Sequence, residues 1–85
     1  NKITFAVTKE GKEHIIDLSL DTLSEQLNPD IFFRTNRQTL VSVHAIQKIE
    51  NYFLGKIIVQ VKPPFKDKIT VSREKIAAMK LWLNY

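Results

Sequence analysis

Residues 32–46 read Phe-Phe-Arg-Thr-Asn-Arg-Gln-Thr-Leu-Val-Ser-Val-His-Ala-Ile. A bulky aromatic pair, Phe32-Phe33, meets a run of polar side chains from Arg34 to Gln38, and an aliphatic stretch follows from Leu40. The apolar flanks suit burial and the polar run does not, so the segment reads as a basic loop held rigid at both ends. Residues 40–43 and 46–49 are short and β-branched, the composition of strands. The loop carries a chemistry of its own. Arginine offers a planar fork that matches O6 and N7 of guanine, and asparagine or glutamine matches N6 and N7 of adenine, in the major groove. A polar surface turn without any partner accounts for the same residues.

Upstream, Ile3, Phe5 and Val7 alternate with polar neighbours, which predicts a half-buried strand over residues 2–8. Gly11 lies in a tight turn where a positive φ is needed, and residues 13–18 form the returning strand. Ser19 is placed to cap a short helix. Leu20, Leu23 and Leu27 then recur on one face, a stripe expected to bury against the sheet, and Asn28-Pro29 ends the helix. Downstream, residues 52–55 turn on Gly55, and residues 56–61 are the most strand-like in the chain. Pro63-Pro64 stops that strand, since neither can donate to a ladder. Residues 68–71 form one more strand. Ser72 is placed as the cap of a terminal helix over residues 73–83, with Ile76, Met79 and Leu83 on its apolar stripe. The expected whole is five or six short strands with two helices and no internal repeat.

At 85 residues the chain has room for one small core. It has no cysteine, which excludes a disulfide framework and any cysteine-based zinc site and is compatible with a reducing cytoplasm. No apolar run approaches the length of a membrane span. His14 and His44 stand alone in different segments, the carboxylates are scattered, and neither a phosphate loop nor a nucleophile elbow is present. The chain is therefore not read as an enzyme, and no metal or cofactor is expected. Its net charge of +4 is unevenly spread. Residues 1–30 hold three lysines against six acidic residues, and residues 31–85 hold ten basic residues against three acidic ones. A basic two-thirds beside an acidic third points to a polyanion-facing side. A solvated basic surface on an unrelated domain gives the same distribution.

The segment from Phe32 to Ile46 resembles the signature of the LytTR family of DNA-binding domains: a phenylalanine–arginine pair, a polar–arginine–polar triplet, then an aliphatic strand. Residues 57–61 resemble the next strand of that family, and Val71-Ser72-Arg73 before a helix resembles its closing motif. The likeness runs from about Lys2 to Leu83. It departs in the triplet, commonly His-Arg-Ser and here Asn36-Arg37-Gln38, in Ser42 where the family has asparagine, and at Thr39 where it has an aromatic. The central Arg37 is kept.

The resemblance implies a mainly β, elongated fold of short antiparallel strands with one short internal helix and a C-terminal helix. It implies one DNA-binding domain over residues 1–85, expected to lack a first strand or two because the family domain begins earlier. The implied function is sequence-specific binding of double-stranded DNA through loops and a strand–helix junction in the major groove. Base contacts are expected from Lys2, Thr4, Arg37 and Arg73. Contacts to the DNA backbone are expected from Asn36, Gln38, Lys56, Ser72 and Lys75. Arg73 follows Ser72 at the start of the helix, where free N–H groups also favour phosphate. Family members are often joined to a receiver domain, so the expected setting is a cytoplasmic response regulator of a two-component system. A receiver or sensor domain would precede this chain, and two copies on repeated half-sites are an arrangement open to it. The alternative reading is a β module for single-stranded nucleic acid or for protein interaction, which would need aromatics presented on a basic face. Arg34 is weighed as the partner of an acidic neighbour.

Overall fold

The computed structural model describes residues 3–84. Among them β1 (Thr4–Val7) and β2 (Glu13–Ile16) form an antiparallel hairpin. Gly11 turns it at a φ of 86°, a region open to glycine at little cost. Helix α1 (Leu20–Gln26) begins at Ser19, whose hydroxyl accepts the Thr22 backbone N–H at 3.1 Å. The fold continues with a second hairpin, β3 (Phe32–Asn36) and β4 (Thr39–Ser42). A three-stranded antiparallel sheet follows, made of β5 (Ile46–Asn51), β6 (Ile57–Val61) and β7 (Ile69–Val71) in that order. Helix α2 (Ile76–Trp82) closes the chain. The molecule is mainly β, measuring 33 Å along its longest axis against 25 and 24 Å.

The core lies between the three-stranded sheet and α2. Ile57 and Val59 of β6, Ile69 and Val71 of β7, and Met79 of α2 are buried together. Phe33, Ile49, Ile76 and Trp82 close around them. β6 is central and buried on alternate residues, which is why residues 57–61 carried so strong a strand pattern. The two sheets meet at β3 and β7. The Ser72 N–H donates to the Thr35 carbonyl at 3.0 Å, and the Asn36 amide nitrogen to the Thr70 carbonyl at 2.7 Å. Trp82 links the end of α2 to the loop after α1, stacking on Phe33 at 5.2 Å and donating its indole N–H to the Pro29 carbonyl.

Four expectations change. Ile3, Phe5 and Val7, expected on the buried face of a half-buried first strand, are all exposed, because the two-stranded hairpin stands away from the core. The polar run after Phe33 is not a loop throughout. Strand β3 extends to Asn36, leaving Arg37 and Gln38 as a two-residue turn, and the strands number seven among the described residues. Polar side chains hid this strand because Thr35, wholly buried, is paired through its hydroxyl to the Thr39 carbonyl, so its polarity is satisfied inside. The terminal helix opens with a 3-10 turn over Arg73–Lys75, and the Ser72 side chain makes no capping bond. The Ser72 carbonyl instead accepts the Lys75 N–H at 2.8 Å, which tightens the entry. Finally, no residue of α1 is fully buried. The leucine stripe reaches β3 and β4 only at the margin of the fold.

Stability should follow this division. Met79→Ala empties the middle of the core and is expected to cost about 2–5 kcal/mol. Leu23→Ala, at a half-buried site, should cost about 1 kcal/mol, near the centre of the range for ordinary substitutions. Denaturant titration of both variants checks the order, and a Leu23→Ala loss as large as that of Met79→Ala would place α1 in the core after all.

Candidate nucleic-acid interface

Arg37 and Gln38 form the tip of the β3–β4 hairpin, and both side chains are exposed. Two-residue hairpin loops usually rely on positive φ. Here neither residue has one. The chain adapts with a bulge at Thr35, where the pairing shifts by one residue between Arg34↔Leu40 and Asn36↔Thr39. Asn36 then supplies the turn with a side-chain bond, its Oδ1 accepting the Gln38 N–H at 2.8 Å.

Arg34 fastens the same turn from inside. Its side chain is 18% exposed. Nε donates to the Asn36 carbonyl at 2.9 Å, Nη2 to the Arg37 carbonyl at 2.5 Å, and Nη1 to Asp21 Oδ1 at 2.9 Å. The Asp21 partner is 87% exposed, so the ion pair itself adds little. The two carbonyl bonds, made by a charged donor, are the stronger part. Arg34 is therefore a structural residue that orients the Arg37 backbone.

The strand–helix junction lies against this hairpin. Lys75, half-buried, sends Nζ to the Arg34 carbonyl at 3.2 Å. Arg37, Ser72 and Lys75 line one open hollow together with Arg34, Asp21 and Glu74. The acidic partner weighed for Arg34 is Asp21, thirteen residues away, where no local pattern singles it out. Arg73, the next residue after Ser72, points elsewhere. Its Nε and Nη2 both donate to the Leu54 carbonyl, at 3.0 and 2.7 Å, and the residue is otherwise exposed. Lys56 is exposed just after that turn.

The structure thus gathers Arg37, Ser72 and Lys75 in one place, with Asn36 and Gln38 on either side of Arg37 in the chain, and sets Arg73 and Lys56 by the neighbouring β5–β6 turn. Both ends of the Asn36 amide are bonded within the protein. Thr4 is half-buried in the β1–β2 hairpin, which packs through Phe5 on Phe65, and it does not line the hollow. Lys2 lies outside the described residues. His14 is exposed on β2, and His44 is exposed in a 3-10 turn whose entry Ser42 caps. No group of three or more metal-ligating side chains occurs among the described residues, and no described helix is long and apolar enough to cross a membrane.

Comparison with protein families finds one that fits: the model of the LytTr DNA-binding domain matches residues 1–84. No solved structure matches the chain.

Removing Asn36 should show how the tip is held. Asn36→Ala deletes two bonds and leaves the Thr70 carbonyl and Gln38 N–H to find water, at an expected cost of about 1–3 kcal/mol. Amide hydrogen exchange at Gln38 should quicken selectively, and unchanged protection there would mean that the turn does not rest on Asn36.

Proposed function

The chain belongs to the LytTr DNA-binding domain family, and on that premise we propose that it binds double-stranded DNA sequence-specifically as the output module of a transcriptional regulator. The observation that carries this reading is the placement of Arg37. It stands exposed at the apex of a hairpin whose backbone is bonded by Arg34 and Asn36, beside a hollow it shares with Ser72 and Lys75 from another element. A fork on a rigid mount suits a guanine edge in the major groove.

In this reading Arg37 and Arg73 contact bases, with Thr4 and Lys2 reaching from the start of the chain. Gln38, Lys56, Ser72 and Lys75 contact the DNA backbone and set the register without specifying sequence. Asn36 serves by holding the turn. The setting we propose is a cytoplasmic response regulator of a two-component system, with a receiver or sensor domain preceding this one and two copies engaging repeated half-sites.

Duplexes selected from a random pool supply the test. Binding should be salt-dependent, because lysines and arginines release counterions from phosphates. With about four to six phosphates neutralised, log K should fall against log salt with a slope of about −4 to −5. A flat line, or preference for single strands, sinks the proposal.

Arg37→Lys keeps the charge and removes the fork. It should lose about 1–3 kcal/mol of discrimination at one base position while non-specific affinity stays. Lys56→Ala should weaken all duplexes alike and reduce the salt slope by about one unit. Binding of each variant to the selected duplex, its single-base variants and unrelated DNA decides. An unchanged ranking with Arg37→Lys would make Arg37 a phosphate contact.

A further inference from the structure

The Tyr52–Gly55 turn does more than connect β5 to β6. We propose that its Leu54 carbonyl is the positioning group for Arg73, holding one edge of the guanidinium so that the other is presented to a base. The inference rests on the reading of Arg73 as a base contact and adds to it the group that aims the side chain.

The geometry is specific. A guanidinium has five N–H donors in a planar fork. In Arg73 the Nε–H and one Nη2–H converge on a single oxygen, the Leu54 carbonyl, at 3.0 and 2.7 Å. That occupies the side edge of the fork. The end edge keeps two hydrogens, one each on Nη1 and Nη2, enough to address O6 and N7 of one guanine. Arg73 is exposed, and an exposed arginine normally surrenders considerable rotamer freedom when it docks. A side chain already fixed on a carbonyl surrenders less.

The turn is built to place that carbonyl. Leu54 lies at φ 63° and ψ 29°, a left-handed conformation that a residue with a side chain rarely adopts. Gly55 follows at φ 74°. The pair is held by the Tyr52 N–H on the Lys56 carbonyl at 2.8 Å. The Tyr52 ring packs beside Phe53 at 4.5 Å and under the Lys68 ammonium at 5.0 Å. The Leu54 side chain itself is 63% exposed and fills no core site, so burial does not account for a leucine kept in this conformation. Strained backbone of this kind persists where surrounding bonds over-determine it, and here the oxygen it carries takes both bonds from Arg73.

Two substitutions separate the carbonyl from the side chain. Leu54→Pro fixes φ near −65° and excludes the left-handed conformation, which moves the carbonyl. Leu54→Asn tolerates that conformation and removes only the apolar side chain. On selected duplexes, Leu54→Pro should lose discrimination at the Arg73 base position by about tenfold, within the range of one bidentate contact, and keep its affinity for unrelated DNA. Leu54→Asn should keep both.

Arg73→Ala is run in parallel. If it leaves discrimination intact, the base-reading premise fails and the inference with it. If Arg73→Ala loses discrimination while a folded Leu54→Pro keeps it, the premise stands and the positioning role is overturned. A measurement on the unaltered domain decides even if Leu54→Pro does not fold. In the free domain, solvent exchange of the Arg73 Nε–H should be slower than that of Arg37, whose guanidinium is unbonded among the described residues. Equal exchange in the two arginines would overturn the proposal.

Discussion

The candidate interface depends on one half-buried guanidinium. Arg34 donates to the carbonyls of Asn36, the last residue of β3, and Arg37, the first of the turn, and to a carboxylate on α1. Three elements are joined through one side chain with fixed donor directions. A lysine there would offer a point charge on a mobile stem and could not hold two carbonyls in a plane. The turn has no positive-φ residue to direct it, so its shape is set by bonds from Arg34 within and Asn36 at the edge. Arg37 can be exposed and still well placed because its neighbours, rather than its own side chain, make the fixing contacts.

The same logic explains why the interface lies where it does. β3 meets β7 through the Thr35 carbonyl and the Asn36 amide, which covers the outer edge of the three-stranded sheet and binds the hairpin to the start of the terminal helix. The core beneath is small, centred on β6, β7 and Met79. The hairpin of β1 and β2 stands farther from it, with Ile3 and Ile15 largely exposed. Rigidity is therefore unequal: the seam of β3, β7 and the strand–helix junction sits directly on the core, and the N-terminal hairpin touches it through the Phe5–Phe65 contact. Residues proposed to read DNA at the seam begin from fixed backbone.

Periodicity revealed the hairpin of β1 and β2, the capped helix α1, the central strand β6 and the apolar stripe of α2, although only β6 and α2 carry that pattern into the core and the apolar residues of β1 stay exposed. β3 left no pattern, since its deepest residue is a threonine with its hydroxyl satisfied internally and its outer residues are polar. The extent of the α1 stripe was also hidden: spacing tells which residues share a face but not how much of that face is covered. At the interface, the triplet Asn36-Arg37-Gln38 was conspicuous as chemistry, yet its division into one anchoring amide and one free arginine depends on the Thr70 carbonyl thirty-four residues away. Bonds to backbone oxygens have no residue type to betray them. The Arg73 contact with Leu54 is of the same kind, a carbonyl nineteen residues distant.

Arg37 and Arg73, the two arginines proposed to read bases, are held in two different ways. At Arg37 the backbone is clamped and the guanidinium left free, so the mount is rigid and the fork can search a small volume. At Arg73 the guanidinium itself is bonded while its residue lies in a 3-10 turn, so the fork is aimed before any partner arrives. The first tolerates adjustment to the partner, and the second gains by ordering in advance. Both rely on backbone carbonyls, which bear no formal charge and so need not compete with phosphate for the arginine as a carboxylate would. The one carboxylate bonded to an arginine among the described residues, Asp21, is bonded to Arg34, whose task is internal. Separating the arginine that is neutralised from the arginines that are only oriented leaves their full charge facing outward, as attraction to a polyanion requires.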